Sequence, residues 1–302
     1  MNVKTIEITA PGVLQVINRD IDFQKSRVLH LECSVISPLD QQISQGFFPL
    51  ADKWPLVPGT SGVASDSSGS RFFVFAEGAG GGFQRSGMHQ EVFSFPEEVI
   101  FSIPDGISSE TVAISMISFL SIFSIYTQLA KIAAPRKVLV LGANGSVGEA
   151  ALLIAGHLGF QATGVTREGV KVLGRDTLTF NDLRASSEGS GFNVIINPLG
   201  GPFTKMAAAV AEPRCQHFVI GLSGGISIEI DGVDFLGKGH RIEGFNLLRV
   251  PLSVTALNVH KTFEFLQGSS YAPTFKRKMG LDSGVDAYAI ALESKQRVLL
   301  TR

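Results

Sequence analysis

Apolar runs and helical stripes alternate through the middle of this chain. Val138-Leu139-Val140-Leu141 is continuously apolar, the pattern of a parallel strand covered on both faces. A turn holding Gly142, Gly145 and Gly148 follows. Val147, Ala150, Ala151, Ile154, Ala155 and Leu158 then fall on one stripe, predicting a helix over 147–158 that Gly159 closes. Beyond it the pattern predicts strands at 161–165, 177–180, 193–196, 218–220 and 241–245, with a helix at 202–211. Such alternation argues for an α/β domain with a doubly wound parallel sheet of the Rossmann type.

The flanks read differently. Short runs at 27–33, 72–75 and 90–95 predict strands, separated by turn signals at Pro11-Gly12, Pro58-Gly59, Gly80-Gly81-Gly82 and Pro104-Asp105-Gly106. They suggest a small barrel or sandwich, with the triple glycine as a loop tip. A helix at 252–266 and a strand at 297–301 are expected to rejoin this β-rich part. Thr111 to Ala130 carries no charge over 20 positions, the length of a membrane span. Ser115, Ser118, Ser121 and Ser124 interrupt it, so it is read as a buried helix between domains, capped by Ser108 or Ser109 with Glu110 in its first turn. The domains are therefore placed at 1–110 with 250–302, and at 111–249.

Composition narrows the function. With 302 residues, 44% hydrophobic, the chain can bury two cores. A net charge of −1 implies no broad basic face and no nucleic-acid partner. The N-terminus shows no apolar run after a basic start, and Cys33 and Cys215 form no C-x-x-C pattern, so a cytoplasmic protein without a membrane span is expected. The six histidines and two cysteines make no zinc-ligand spacing, and no metal site is expected. Each histidine is read as a surface or core residue, His89 being the one nearest the expected substrate site.

The glycine turn carries the chemistry. A diphosphate needs bare backbone that can approach closely and free amides at a helix start. The dinucleotide fingerprint G-x-G-x-x-G appears here as Ala143-Asn144-Gly145-Ser146-Val147-Gly148, after a strand and before a helix. The second strand ends Val165-Thr166-Arg167, with Glu168 adjacent. A hydroxyl and a guanidinium suit a 2′-phosphate where an acid would suit a free ribose, so Thr166 and Arg167 predict NADPH rather than NADH.

These residues together resemble the zinc-free quinone oxidoreductase and enoyl reductase branch of the medium-chain dehydrogenase/reductases. The resemblance runs over nearly the whole length. It is carried by Ser34-Val-Ile-Ser-Pro-Leu-Asp40, Trp54-Pro-Leu-Val-Pro-Gly-Thr-Ser61-Gly, Gly87-Met-His-Gln-Glu-Val92, Ile103-Pro-Asp-Gly-Ile107 and Gly142-Ala-Asn-Gly-Ser-Val-Gly148. It implies a β-rich GroES-like catalytic domain beside the Rossmann domain. Later cofactor loops are expected at Pro198, Leu199 and Gly200, at Gly221, Leu222 and Ser223, and at Phe245 and Asn246. Ser37 stands where the family usually has Asn, Ser61 where it has an acid, and Phe48 where some relatives carry a tyrosine. Ser37, Asp40 and Ser61 are the polar side chains expected nearest a small-molecule substrate, with Asp40 also suited to a supporting role.

The activity implied is NADPH-dependent hydride transfer to a quinone or an activated alkene or carbonyl. Two alternatives stand beside it. One is an acyl-thioester enoyl reductase, since Ala291 to Leu300 is similar to the ending of acryloyl-CoA reductase-like members. The other is a non-catalytic NADPH-binding sensor or structural protein. Relatives often dimerise through Rossmann sheet edges, and Ile226-Ser-Ile-Glu-Ile230 is expected to be such an edge.

Overall fold

A computed structural model describes residues 1–23, 27–129, 137–185, 191–275, 277–294 and 297–302. Ala130, the last residue of the uncharged stretch, and Lys295 and Gln296 of the C-terminal motif lie outside them. The chain divides into two compact units, one of residues 1–117 and 251–302, the other of 118–250. The division falls inside the helix Ser109–Leu129.

In the second unit six parallel strands form one sheet. Taken in chain order as one to six, they are Lys137–Leu141, Gln161–Thr166, Leu178–Thr179, Phe192–Asn197, Ala211–Val219 and Arg241–Gly244, and they lie side by side as 3-2-1-4-5-6. This is the order of a doubly wound nucleotide-binding sheet, whose chain direction reverses between strands one and four. The core on one face joins Leu139, Leu141, Val165, Ile195 and Cys215 with Leu183, Ala207 and Val210 from the helices Phe180–Ala185 and Phe203–Ala209 and the turn after them. Between Gly169 and Asp176 the chain makes a tight turn closed by Val172 and Arg175, where the short spacing leaves no room for a long helix.

The first unit holds a hairpin, Asn2–Ala10 with Val13–Asp20, and a mixed seven-stranded sheet. Six of its strands run in the order Arg277–Gly280, Val298–Thr301, Leu29–Val35, Gly62–Ser65, Arg71–Val74, Ile100–Ser102, and Val92–Phe93 also pairs with Leu29–Val35. Val298–Thr301 thus returns to the N-terminal β-rich part, antiparallel to Leu29–Val35, as its apolar run predicts. The chain therefore has the expected α/β fold, a Rossmann sheet plus a separate β-rich sheet.

The uncharged stretch forms the helix Ser109–Leu129. Ser108 caps it, its hydroxyl accepting from the Thr111 amide at 3.1 Å. By length and composition this helix could cross a membrane. Its most apolar window, of mean hydropathy 1.4, is 78% buried inside the protein, which makes it a core helix.

Two elements differ from the sequence expectation. The strand placed at 218–220 begins at Ala211, because the exposed residues Glu212, Pro213 and Arg214 lie in a stretch where the register against Phe192–Asn197 shifts. Ile226–Ile230 is not a strand, and Arg241–Gly244 forms the sheet edge instead. Alternation alone makes no ladder without a neighbour to pair with.

Candidate functional site

The glycine turn sits at the carboxyl end of strand one, beside the point where the strand order reverses. Gly142 takes the left-handed conformation (φ 57°) that releases the chain from the strand. The Ala143 amide is anchored to the Val165 carbonyl at 3.0 Å, and the Gly145 amide to the Gly142 carbonyl at 3.0 Å. Gly145 is the N-cap of the helix Ser146–His157, with extended backbone and no capping side chain. The end of this 12-residue helix is thus left to backbone amides, whose positive dipole end suits an anion. Gly148 allows the helix to lie on the turn: a Cβ there would collide with the Gly142 carbonyl oxygen and stand 2.6 Å from the Ala143 Cα. Gly164 on strand two serves the same packing, since a Cβ would meet that of Ala143 at 2.8 Å.

Two further loops meet this turn. Asn197, fully buried at the end of strand four, accepts from the Leu199 and Gly200 amides, both at 3.0 Å, and donates to the Thr204 hydroxyl at 3.1 Å. Its amide nitrogen also contacts His217 Nε2 at 3.0 Å. Burial drives the His217 pKa down to about 3, so the ring is neutral and accepts from Asn197. The loop so held packs on the next one: the Gly224 amide donates to the Leu199 carbonyl at 2.7 Å, and the Ser223 hydroxyl to the Pro198 carbonyl at 3.2 Å. A Cβ on Gly200 would stand 2.8 Å from Leu222, and one on Gly221 would stand 2.6 Å from the Pro198 carbonyl oxygen. Leu199 and Pro198 in turn flank Gly142. The residues expected at 142–148, 198–200 and 221–223 are therefore brought together. Phe245 and Asn246 lie at the end of strand six, where the Phe245 amide bonds the Val219 carbonyl and the Asn246 side chain caps the turn Leu247–Arg249.

At the end of strand two, Thr166 and Arg167 part company. Thr166 is buried, its hydroxyl accepting from the Val170 amide at 3.1 Å and meeting Thr177 Oγ1 at 2.9 Å. It shapes the turn from inside. Arg167 is exposed and has no hydrogen bond or ion pair to another described residue. That leaves the guanidinium open to an anion.

The polar residues expected nearest the substrate lie in the other unit. Ser37 caps the helix Pro38–Ser44 in a reciprocal box: its hydroxyl accepts from the Asp40 amide at 3.0 Å, while its own amide donates to Asp40 Oδ2 at 2.9 Å. The Ser37 hydroxyl also donates to Asp40 Oδ2 at 2.6 Å. Asp40 Oδ1 accepts from the Gly59 and Thr60 amides at 3.2 and 3.0 Å. Asp40 is thus a buried organiser that ties the Pro58-Gly59-Thr60 turn to the helix start. Ser61 is buried, and its carbonyl accepts from the Ser34 hydroxyl at 2.7 Å. Phe48 stacks edge-on against Phe83 at 5.3 Å, while Phe47 is exposed.

Sequence reasoning missed two features beside Asp40. One is a buried relay: Ser34 Oγ to His89 Nε2 at 3.0 Å, and His89 Nδ1 to the Tyr288 hydroxyl at 2.9 Å. Burial keeps His89 neutral against the opposing pull of the Asp40 charge, and raises the Tyr288 hydroxyl. The other is Glu77, buried on the short turn Ala76–Ala79, whose amide donates to the Thr60 carbonyl at 2.8 Å. An acid in an otherwise apolar and glycine-rich run was the available signal.

No protein-family model matches the chain. By sequence, 161 residues (49% of the chain) are 26% identical to part of the mycoketide-CoA synthase of Mycobacterium tuberculosis. Another match, 22% identical over 220 residues (65% of the chain), is to the synaptic vesicle membrane protein VAT-1 homolog of Homo sapiens. The chain spans only 4% of the synthase and 53% of the VAT-1 homolog. Solved structures match it end to end. A Bacillus thuringiensis protein described as an NADPH:quinone reductase superposes with a TM-score of 0.83 at 19% identity, covering 100% of this chain and 99% of that one. The quinone oxidoreductase of Thermus thermophilus, solved alone and with NADPH, gives 0.80 at 18% identity, covering 99% of this chain and 100% of that one. A Salmonella enterica oxidoreductase in complex with NADP gives 0.76 at 16% identity, covering 99% of both chains. The chain has the fold of these medium-chain oxidoreductases.

Proposed function

We propose that this chain is a zinc-independent oxidoreductase that uses NADPH to reduce a quinone or another small molecule with an activated alkene or carbonyl. The observation that carries this reading is Gly148 packed on Gly142 at the reversal point of a 3-2-1-4-5-6 sheet. That contact leaves an uncapped helix start lying close on a glycine turn, as a pyrophosphate requires. Arg167, exposed and unengaged among the described residues, favours the 2′-phosphate of NADPH. When bound, the cofactor supplies the hydride; the protein supplies orientation and exclusion of water.

The zinc-independent form of the reading is supported by the oxygen chemistry around Ser37. Hydroxyls of Ser37 and Thr60 stand 3.4 Å apart there, a hard donor pair unlike the thiolate and imidazole that zinc prefers. Neither cysteine suits nucleophilic or ligand chemistry, because burial pushes both thiols up to about 12. A second substrate class is favoured by the sequence matches to polyketide synthases, one of them a highly reducing enzyme of Penicillium rubens, 26% identical over 191 residues. Those matches point to an enoyl thioester. Steady-state oxidation of NADPH with a panel of quinones and enoyl thioesters tests both. Tight binding of NADPH with no turnover on either panel would favour a sensor instead.

The reading extends to assembly and place. Ile226, Val233 and Leu236 are 83, 84 and 79% exposed in the segment leading to the edge strand Arg241–Gly244, a patch suited to a second copy of this chain. Buried free thiols suit a reducing cytoplasm.

A further inference from the structure

Asn197 engages both ends of its buried carboxamide inside the second unit. The oxygen accepts from the Leu199 and Gly200 amides, and the nitrogen meets the Thr204 hydroxyl and His217 Nε2. Backbone N–H groups only donate, so the two amides fix which end of the carboxamide is the oxygen. The nitrogen is then a donor on both of its sides. The Thr204 hydroxyl meets that demand in any case, because a hydroxyl donates or accepts. His217 meets it in one form alone: a neutral ring with Nε2 bare and the proton on Nδ1.

The surroundings of the ring preserve that form. His217 is 1% exposed, and its Nδ1 has no hydrogen-bond partner among the described residues. A carboxylate against Nδ1 would draw a second proton onto the ring. No acid acts on His217; the titratable group that does is His240, just ahead of strand six, whose charge would oppose another on His217. From the helix Gly232–Lys238, Asp234 and Lys238 act on His240 and not on His217. Lys205, on the helix Phe203–Ala209, acts on Asp231 instead. A charged His217 would set an Nε2–H against the Asn197 nitrogen, donor against donor. Turning the carboxamide over would set its nitrogen against the Leu199 and Gly200 amides. The observed loop and a charged ring are therefore incompatible.

We propose that His217 is a positioning residue for the nucleotide: its bare Nε2 holds the Asn197 carboxamide, which holds the Leu199 and Gly200 backbone beside the glycine turn. This rests on the nucleotide-binding reading above. Leu199 lies against Gly142, and its carbonyl accepts from the Gly224 amide, so one buried ring braces both loops that meet the turn. His217 acts through Asn197 and does not touch the nucleotide. The Nδ1–H left without an acceptor keeps the brace in its accepting form through the pH range in which an ordinary histidine titrates.

The test uses the full chain, His217→Leu, which removes the acceptor, and His217→Gln, which offers a carboxamide oxygen in place of Nε2 and does not titrate. Nitrogen-15 spectra of histidine-labelled, ligand-free protein read the ring directly. The signals missing from His217→Leu are expected to show Nδ1 protonated and Nε2 bare, unchanged between pH ~8 and ~5. Amide hydrogen exchange at Leu199 and Gly200 is expected to quicken in His217→Leu and to stay near the wild-type rate in His217→Gln. Calorimetry is expected to show NADPH affinity lowered roughly 5- to 30-fold in His217→Leu and largely restored in His217→Gln. A wild-type ring that carries its proton on Nε2, or that titrates in that window, overturns the proposal whatever the variants do. So does a glutamine variant as impaired as the leucine one. NADPH binding indifferent to both substitutions overturns the positioning role alone. A wild type that binds no NADPH overturns the nucleotide reading and this role with it.

Discussion

Gly148 rests against the backbone of Gly142 with no space for a side chain between them. A Cβ at Gly145, by contrast, would stand 3.3 Å from the Gly142 carbonyl oxygen, tight but tolerable. The two glycines therefore separate fold from binding. Gly148→Val is expected to destabilise the protein by about 1–3 kcal/mol in chemical denaturation, through overpacking of the turn. Gly145→Val is expected to leave stability nearly intact while crowding the anion at the helix start, so that NADPH affinity falls. Equal loss of stability in both would contradict this division.

The proposed preference for NADPH rests on Arg167, exposed at the end of strand two. Hydrogen bonds to a charged group contribute about 1.5–3 kcal/mol, so Arg167→Ala is expected to raise the KM for NADPH roughly 10- to 100-fold, leave NADH unchanged and spare kcat. Kinetics with the two nucleotides check this. An unaltered preference would mean that another residue reads the 2′-phosphate.

Asp40 is expected to act through structure. Asp40→Ala removes half of the capping box and strands the Gly59 and Thr60 amides, at a cost of about 2–4 kcal/mol in unfolding free energy. It also removes the charge that helps raise Glu77, so the protonated-carboxyl band of Glu77, followed by infrared spectroscopy, is expected to titrate at lower pH. A titration that stays in place would show that burial alone sets it.

Glu77 gives stability a sign with pH. Its carboxyl titrates from the ordinary 4.5 in the unfolded chain and near 8 in the folded one. The folded state therefore holds this proton more tightly. Its stabilising contribution is full below pH 4.5 and is lost as pH rises to about 8, at about 1.4 kcal/mol per pH unit. Glu77→Gln is expected to abolish this slope, so that the variant gains on the wild type across that window in thermal melts. Parallel melting curves for the two would contradict a carboxyl raised by burial.

The exposed patch predicts assembly. Val233→Asp with Leu236→Asp is expected to turn a dimer into a monomer in light scattering without unfolding it, since both side chains face solvent in the single chain. A wild type that scatters as a monomer would leave the patch without this role.

The parts of this molecule that are legible in the sequence are the local ones. The strand, turn and helix at 137–158 follow from an apolar run, three glycines and a helical stripe, all within a few turns of chain. The site in the other unit is legible only in outline. Ser37 and Asp40 declare themselves by their capping-box spacing, but Glu77 and Asp40 lie far apart in the chain, and His89 and Tyr288 are separated by 199 positions. No periodicity signals a meeting at such a distance. The position of Thr166 at a strand end suggests a hydroxyl facing a phosphate. Its hydroxyl instead turns inward to Val170 and Thr177, because the tight turn that replaces a helix needs that donor and acceptor. Ile226–Ile230 has the alternation of a strand but pairs with no strand among the described residues.

Titration calorimetry of the wild-type chain with NADPH tests the central claim most directly. One nucleotide bound per chain, with tighter binding than NADH and weaker binding in Gly145→Val, is the predicted result. No heat with either nucleotide would contradict the claim that the backbone amides at the start of the helix Ser146–His157 hold a pyrophosphate.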